Sequence, residues 1–405
     1  MRFGLFHELQ LPKPWHPGAE HRLFKEALEQ IELADRLGFD YVWMVEHHFL
    51  EEYSHSSAPE VFLGAVSQRT ERIRIGHGIM ALPPAVNPAP RVAERIATLD
   101  LVSDGRVEFG TGEGSTEVEL DGFGVPRGLK HEQWAEALDA VTRMFVEEPF
   151  AGYAGQHVRM PPRNVVPKPH QKPHPPLWVS CSYREKVLTA ARNGLGALTV
   201  AFAAPEEAQR WVADYYATLA SDQCVPAGFS VNPNVAMTAY LMCHQDERTA
   251  MERGLDGHYF FARSLAYYFH YGSPAPGRTA LWDEFGIGRS RSDPPASVDA
   301  LDFGGAYAAV GPPERVRASM RRYEAAGVDQ MLLICQTGRI PHEHVCESMG
   351  LFAREVMPEF HDRHEAAQAR KRESLAPAIE AALARREPAR EAPADYRVPP
   401  VNRRR

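Results

Sequence analysis

Short apolar runs alternate with amphipathic segments along most of the chain. Between residues 19 and 38, apolar side chains such as Leu23, Ile31 and Ala34 recur at intervals of three or four, with charged residues between them. This spacing predicts a helix that buries one face. Apolar runs at 2–6 and 39–45 flank it, and runs of that length are typical of buried strands. The strand–helix order then repeats along the chain.

The repeat contains eight predicted strands, each followed by a helical pattern or a short excursion. They span residues 2–6, 39–45, 73–80, 106–111, 177–182, 198–201, 235–243 and 331–334. Eight strands alternating with helices predict an α/β fold, a closed (β/α)8 barrel of the TIM type. An open doubly wound sheet is the alternative, but it requires a glycine-rich turn after the first strand, where this chain has Phe-His-Glu-Leu. In a barrel, chemistry gathers at the carboxyl ends of the strands.

Two segments fall outside the repeat. Residues 272–305, before strand eight, form a long insertion rich in Pro, Gly, Ser and Asp, a composition that suggests an active-site lid or a disordered loop. We therefore expect one barrel domain over residues 1–362 and a tail over 363–405. The tail is basic and rich in Ala, Arg and Pro. It is expected to be a short exposed helix with a disordered end, dispensable for chemistry.

Composition and charge narrow the class of protein. The chain has 405 residues and a formal net charge of −8, which argues against nucleic acid as a main partner. The sequence contains no run of eighteen apolar residues, the length that a membrane-spanning helix needs. Its first residues lack the layout of a secretion signal. The five cysteines lie far apart without a CxxC pair, as in a reducing compartment. A cytoplasmic enzyme is expected.

The strongest local signal is the run Val-Glu-His-His-Phe at the end of strand two. Histidine titrates near neutral pH and can transfer protons there. Because side chains alternate along a strand, only one of His47 and His48 should face the barrel interior. A metal-dependent hydrolase is one rival, yet no histidine pair with metal-ligand spacing stands at a strand end, and no metal site is predicted. A nucleophilic Cys181 is another rival, although the sequence offers it no histidine base.

Glycines and hydroxyls follow strands three to five. Gly110, Gly112 and Gly114 alternate with other residues after strand four, and glycines so close together leave room for a planar ring. The dinucleotide spacing of glycines is absent. The run Ser-Cys-Ser-Tyr-Arg at 180–184 places hydroxyls, backbone N–H groups and a cation at a helix start, where a phosphate can bind.

Read together, these pieces resemble the bacterial luciferase-like flavin-dependent monooxygenases over residues 1–360. The runs that carry the resemblance are GFDYVWMVEHHF, RIRIGHGIMALPP, PRVAERIATLDLVSDGRVEFGTGEGS, PPLWVSCS and GVDQMLLICQ. The resemblance implies a TIM-type barrel, usually a homodimer, that binds reduced FMN supplied by a separate flavin reductase. Oxygen then gives a peroxyflavin intermediate, which oxygenates a small organic substrate. A deazaflavin coenzyme, which transfers hydride, is the alternative cofactor on the same fold.

The resemblance also carries roles over to single residues. His47 falls on the family's essential proton-transfer histidine. The family's non-proline cis peptide would fall between Gly78 and Ile79, beside the flavin. Gly112 replaces a cysteine near the flavin, and Glu113 replaces an arginine near its phosphate.

The phosphate site implied by the resemblance is altered in this chain. His131, preceded by Lys130, stands where relatives carry a second arginine, and Ser182 matches a phosphate-binding serine. We expect Lys130, His131, Ser182 and Arg184 to hold the phosphate together. The full set of cofactor-binding residues expected is Gly78, Ile79, Gly112, Lys130, His131, Ser180, Ser182, Tyr183 and Arg184.

The substrate pocket is expected to be apolar and aromatic. His7, Trp43, Met80 and Phe123 should line it together with the loop after residue 272. Such a pocket suits a neutral molecule, such as an aldehyde, a ketone or a polycyclic natural product. Two other functions remain open: a deazaflavin-dependent dehydrogenase, and a non-catalytic flavin-storing subunit, against which the presence of His47 argues.

Overall fold

The structure is a computed structural model that describes residues 1–287, 297–298, 301 and 304–398. In chain order its strands are β1 (Arg2–His7), β2 (Tyr41–Met44), β3 (Arg74–His77), β4 (Met80–Ala81), β5 (Val107–Gly112), β6 (Tyr153–Ala154), β7 (Arg159–Met160), β8 (Leu177–Cys181), β9 (Gly196–Thr199), β10 (Val235–Cys243), β11 (Ala309–Gly311) and β12 (Gln330–Ile334). Its helices are α1 (Ala19–Leu37), α2 (Pro59–Ser67), α3 (Ala89–Val102), α4 (Glu117–Gly122), α5 (Lys130–Val146), α6 (Arg184–Arg192), α7 (Pro205–Leu219), α8 (Glu247–Ala266), α9 (Leu281–Glu284), α10 (Pro313–Ala325), α11 (His342–Glu355) and α12 (Met357–Leu383).

Eight of these strands close into a parallel barrel. Their order is β1, β2, β3, β5, β8, β9, β10, β12, and β12 pairs back onto β1, with Phe3 opposite Met331. β4 adds to the end of β5, and β11 to the end of β10. The predicted (β/α)8 barrel is therefore confirmed, and each of its eight strands overlaps a predicted apolar run.

The barrel interior is filled by large aromatic side chains, among them Trp43, Trp178 and Tyr240. Two glycines make this packing possible. A Cβ at Gly76 would lie 2.3 Å from the ring of Trp43, and one at Gly196 would lie 2.4 Å from the ring of Trp178. Successive side chains of each strand point to opposite faces of the barrel. The outward-facing side chains pack against the surrounding helices and form a second, larger apolar layer.

Strand three is shorter than the sequence predicts. β3 stops at His77 and the chain bends before β4 pairs with β5. The bend brings the carbonyl oxygen of His77 against Gly110, where a Cβ would lie only 2.1 Å from that oxygen. At Gly112, a Cβ would lie 2.8 Å from Cδ1 of Ile79. The glycines of β5 thus accommodate the bend of the neighbouring chain, and the expected space for a planar ring beside Gly110 and Gly112 is filled by protein.

The C-terminal tail differs most from expectation. Residue 362, the predicted domain boundary, lies inside α12, a continuous helix of 27 residues. Lys371 of this helix forms an ion pair with Asp329 at the start of β12, and Ala382 is fully buried. The tail is helical and largely exposed, as expected, but its helix is long rather than short, and Leu375 and Ala382 pack against the apolar core.

The chain after α12 continues along α5. Arg143 of α5 is 2% exposed and donates to Glu387 at 2.9 Å. Arg390 pairs with the buried Glu147 and donates to the carbonyl oxygen of Gly152 at 2.8 Å. The described part of the tail, up to residue 398, is therefore held by ion pairs as well as by apolar contacts, which the composition alone did not show.

The insertion before strand eight is described in part. Its first residues lie on the loop after β2, where Gly277 N donates to Glu51 at 2.6 Å and Leu281 N donates to the buried Glu52. Residues 288–296, 299–300 and 302–303 of the expected lid lie outside the described residues. In the described ranges, no helix combines the length and apolar character needed to cross a bilayer.

Candidate active site

A cavity opens at the carboxyl ends of the barrel strands. Its polar lining residues are Glu8, Glu46, His47, His48, Ser115, Glu119, Ser180, Ser182 and Thr238. Its aromatic lining residues are Phe6, Tyr53, Phe123, Phe261 and Phe269. No lysine or arginine lines the cavity in the part of the chain that the structure describes.

Both histidines of the Glu-His-His run reach this cavity. β2 ends at Met44, and the chain leaves extended geometry by Phe49, whose φ of 65° is left-handed. Strand alternation therefore does not extend to His47 and His48, and both line the cavity. The expectation that His48 points away from the interior is corrected, because the strand stops three residues before His47.

His47 lies between two carboxylates. Its Nδ1 is 2.9 Å from Oε1 of Glu119, and its Nε2 is 3.7 Å from Oε2 of Glu8. Glu119 is itself fixed, because it accepts hydrogen bonds from Thr116 Oγ1 at 2.7 Å and from the His48 backbone N–H at 3.0 Å. Thr116 also caps the N-terminus of α4. The helix thus holds the carboxylate that orients the imidazole.

The charges around His47 favour its protonated form. Burial by itself lowers the pKa of His47, but the charge and hydrogen bond of Glu119, followed by the charges of Glu8 and Glu46, raise it to about 9. Burial raises the pKa of Glu119, yet His47 and Thr116 outweigh burial and the pKa is lowered. His47 and Glu119 therefore form an ion pair at neutral pH.

Glu8 is a functional candidate that the sequence reasoning missed. It is 3% exposed, and Tyr53 donates a hydrogen bond to its Oε1 at 3.0 Å. Its Oε2 has no hydrogen-bond partner in the structure. Burial raises the pKa of Glu8 to about 7, against the opposing effects of His47 and Tyr53. A signal was present, since Glu8 directly follows β1, two residues after Phe6, which faces the cavity.

His48 and Glu46 form a second, fully satisfied pair. His48 Nε2 is 3.1 Å from Glu46 Oε1, which also accepts from Asn87 Nδ2 at 2.8 Å. Glu46 Oε2 accepts from the Ala81 backbone N–H at 3.0 Å. The ring of His48 stands edge-on to Phe123, with centroids 4.8 Å apart. Glu46 thus ties the end of β2 to β4.

Two of the residues expected near a flavin ring line the cavity. Gly78 and Ile79 are wall residues, whereas Gly112 lies behind Ile79 in β5. The expected cis peptide between Gly78 and Ile79 is wrong: cis bonds among the described residues occur only before prolines. Ser180 and Ser182, from the end of β8, also line the cavity as expected.

The expected phosphate-binding cations meet at one carboxylate. His131 Nδ1 is 2.8 Å from Glu113 Oε1, Lys130 Nζ is 4.0 Å from Glu113 Oε2, and Lys186 also contacts Glu113. Lys130 donates to the carbonyl oxygen of Gly114, a cavity-wall residue, at 2.7 Å. Burial raises the pKa of Glu113, but the hydrogen bonds of Lys186 and His131 lower it overall. Lys186, which lies two residues into α6, was missed by the sequence reasoning.

Two expected phosphate ligands lie apart from this cluster. Arg184 donates to Asp214 of α7 at 2.7 Å, and the side chain of Tyr183 is half exposed. The nearby Cys181 is fully buried, and burial raises the pKa of its thiol. A reactive thiolate at this position is therefore disfavoured.

Of the four expected substrate contacts, only Phe123 lines the cavity. Trp43 points into the barrel interior below the cavity and donates to Gln330 Oε1 at 2.6 Å. His7 and Met80 are fully buried and lie outside the cavity wall. His7 follows Phe6 on β1 and so faces the opposite side of the strand. The structure corrects these three assignments and supplies Phe261 and Phe269 as aromatic wall residues instead.

Across the described ranges, no group of three His, Cys, Asp or Glu side chains has an arrangement that could hold a metal ion. The cavity itself is lined by acid–base groups and aromatic side chains.

Comparison with known proteins identifies related sequences. The sequence model for luciferase-like monooxygenases matches residues 1–330. A Sinorhizobium fredii protein of uncharacterised function is 32% identical over 232 residues, which cover 56% of this chain and 65% of that protein. The oxygenase component of a flavin-dependent trigonelline monooxygenase from Acinetobacter baylyi is 22% identical over 365 residues, 89% of this chain and 96% of that protein. The match to the Sinorhizobium relative thus spans just under two thirds of its length.

Solved structures share the barrel. The monooxygenase RslO1 from Streptomyces bottropensis superposes with a TM-score of 0.72 at 26% identity, covering 89% of this chain and all of that one. The oxygenating constituent of 3,6-diketocamphane monooxygenase from Pseudomonas putida, in complex with FMN, gives a TM-score of 0.67 at 18% identity, with coverage of 88% and 98%. An F420-dependent secondary alcohol dehydrogenase gives 0.64 at 18% identity, with the same coverage.

Proposed function

Because this chain belongs to the luciferase-like monooxygenase family and is an oxidoreductase of that family, we propose that it uses reduced FMN and oxygen to oxygenate a small, mostly apolar organic substrate. The observation that carries the proposal is the placement of His47, held by Glu119, on the wall of the cavity at the carboxyl ends of the barrel strands. Barrel enzymes place their chemistry at this end.

The residues of the cavity fit a flavin mononucleotide. Gly78, Ile79 and the hydroxyls of Ser180 and Ser182 form a wall on which a ring can lie. Beside that wall, Lys130 and Lys186 place two positive charges against the single carboxylate of Glu113. This excess of positive charge suits a phosphate group.

Bound reduced flavin would supply electrons to oxygen, and the protein would supply the proton and the enclosure. With a pKa of about 9, His47 carries its proton at neutral pH, so it can act as a general acid toward an oxygen atom in the cavity. Glu119 fixes the ring through Nδ1 and leaves Nε2 directed toward Glu8. The aromatic wall excludes water from the reacting groups.

The cavity wall also limits the substrate. No cation lines it within the described residues, and the wall carries three carboxylates, Glu8, Glu46 and Glu119. An anionic substrate would therefore be repelled. A neutral aldehyde, ketone or polycyclic compound fits the apolar and aromatic lining.

A deazaflavin-dependent hydride transfer is the second candidate. The F420-dependent dehydrogenase with the same fold favours it, but at 18% identity the likeness concerns the fold alone. Under this alternative, the enzyme would oxidise or reduce its substrate without consuming oxygen.

The test is a cofactor comparison. Purified protein would be mixed with FMN and a flavin reductase, or with reduced deazaflavin coenzyme, and screened against aldehydes, ketones and aromatic compounds. Oxygen consumption and an oxygenated product with FMN would support the proposal. Substrate turnover only with deazaflavin, without oxygen uptake, would contradict it.

The supply of flavin follows from the same proposal. We expect a separate flavin reductase, since the trigonelline relative is named as an oxygenase component. Reduced flavin should bind more tightly than oxidised flavin, so the protein should purify almost colourless. Stoichiometric yellow FMN that survives size-exclusion chromatography would contradict this expectation.

A further inference from the structure

We propose that Glu8 is a second acid–base group of this site, a positioning residue that shares a proton with His47 across the cavity floor. The inference deepens the proposed function, since it assigns His47 a proton partner other than Glu119. It concerns a residue at which neither the sequence motifs nor the comparisons place a role.

The geometry separates Glu8 from an ordinary structural carboxylate. Glu8 Oε2 is buried, accepts no hydrogen bond from any residue that the structure describes, and lies 3.7 Å from Nε2 of His47. Both residues line the cavity. The other two cavity carboxylates differ in this respect: Glu46 and Glu119 have both oxygens engaged in hydrogen bonds.

A buried carboxylate oxygen that accepts no hydrogen bond is costly, even where an ion-pair partner lies nearby. Glu52, another buried carboxylate, has both oxygens satisfied by the backbone N–H groups of Lys13 and Leu281. An unsatisfied oxygen that faces a cavity and an imidazole is the arrangement expected of a group that works by gaining and losing a proton.

Burial and the groups that face Glu8 together bring the pKa of its carboxyl close to neutral pH. The titratable groups acting on it are His47, Tyr53 and Glu119. Burial raises the pKa of Glu8 to about 7, whereas the pKa of His47 is about 9. Near neutral pH, His47 is thus protonated, while the carboxyl group of Glu8 exists in both its ionised and its protonated form.

The proton step is simple. When His47 gives its Nε2 proton to an oxygen atom in the cavity, the protonated carboxyl of Glu8 can replace it. The Glu8 O–H bond breaks, the His47 N–H bond forms again, and the carboxylate that remains regains a proton from solvent. Tyr53, which donates to Oε1, holds the carboxyl group in orientation throughout.

The test measures protonation directly in the full-length protein without flavin. The His47 ring would be followed by NMR in ¹⁵N-histidine-labelled protein and assigned by its loss in His47→Ala. In Glu8→Gln, which can still accept from Tyr53, the titration midpoint of His47 should fall by roughly one pH unit, because a nearby negative charge is lost. Glu52→Gln, a buried carboxylate outside the cavity, is the matched control and should leave the midpoint unchanged.

Infrared spectroscopy gives a second readout that requires only wild-type folding. A protonated carboxyl band should disappear with a midpoint near pH 7 in the wild type and in Glu52→Gln, and this titration should be missing in Glu8→Gln. An unchanged His47 midpoint in Glu8→Gln, or no carboxyl group titrating near neutral pH in the wild type, would overturn the proposal. Neither measurement depends on turnover, so a failure of the monooxygenase proposal would be seen separately in the product assay.

Discussion

At the scale of single residues, the chemistry of the site depends on how His47 is held. Glu119 fixes one ring nitrogen at 2.9 Å, and α4 in turn fixes Glu119 through its capping threonine. His48, the adjacent residue, is tied instead to Glu46 and packs on Phe123. Two neighbouring histidines on one cavity therefore have different partners, and their roles can be separated by substitution.

His47→Ala should lower product formation by about 10²–10⁴-fold, because general acid–base groups contribute on that order. Reduced flavin should still be oxidised, with hydrogen peroxide as the main product. His48→Ala should instead cost stability, about 1 kcal/mol, since it leaves one Glu46 oxygen with fewer partners. Coupled assays of product and peroxide, with thermal midpoints, decide the matter. A larger rate loss in His48→Ala than in His47→Ala would exchange the two roles.

A further prediction at this scale concerns Glu113. Lys186 and His131 lower the pKa of this carboxyl, so Glu113 is ionised and occupies the cations that a phosphate would use. Glu113→Gln should therefore tighten FMN binding, by roughly tenfold, a modest electrostatic gain of about 1.4 kcal/mol. Fluorescence titration with FMN and with riboflavin, which lacks the phosphate, provides the control. Equal gains for both ligands would show that the cluster does not bind the phosphate.

At the scale of elements, α12 and the residues after it join regions far apart in sequence. Asp329, which pairs with Lys371 of α12, also accepts from the Val235 backbone N–H at the start of β10. Arg143 loses its Glu387 partner when the tail is removed. These contacts link the two final barrel strands and α5 to the tail.

Truncation after residue 363 should thus destabilise the protein by roughly 3 kcal/mol, because it removes ion-pair partners of the buried Arg143 and Glu147 and of Asp329. Truncation after residue 398 keeps every contact described above and is the matched control. Chemical denaturation of both variants measures the difference. Equal stability of the two truncated forms and the full chain would restore the expectation that the tail is dispensable.

At the scale of the whole molecule, α2 and α3 pack together and present apolar side chains to solvent. Val61 is 72% exposed, and Leu101 and Val102 are 42% and 46% exposed. Exposed apolar side chains often mark an interface, and we propose that a second copy of this chain covers these three, as expected of a homodimer.

The double substitution Val61→Asp and Leu101→Asp should accordingly convert a dimer into a monomer, because it places charges in an apolar contact. Val225→Asp, at a valine after α7 that is 46% exposed, should not change the assembly. Sedimentation velocity measures the mass in each case. A wild-type monomer, or a double variant that remains dimeric, would contradict this interface.

The sequence by itself determined the barrel and the location of the site. Eight apolar runs alternating with helical patterns were enough, because the burial of one face per element is a local property of the sequence. His47 and the serines of the β8 loop were predicted for the same reason, since they directly follow apolar strands. The cytoplasmic location and the reductase partner stay predictions.

Only the tertiary structure decided which side chains meet. Glu8, Glu119 and Lys186 lie in three separate segments of the chain. The position of Glu8 two residues after Phe6 suggests that it points inward, but no local pattern shows that these three residues reach His47 or Glu113. Trp43 reads as a pocket residue in sequence but fills the barrel, because Gly76 opposite it leaves room for the ring. Likewise, the polar composition of the tail suggests a detached segment, yet ion pairs help to hold it against the barrel. Contacts between distant segments depend on closure of the barrel, which brings strand ends together irrespective of their separation in the chain.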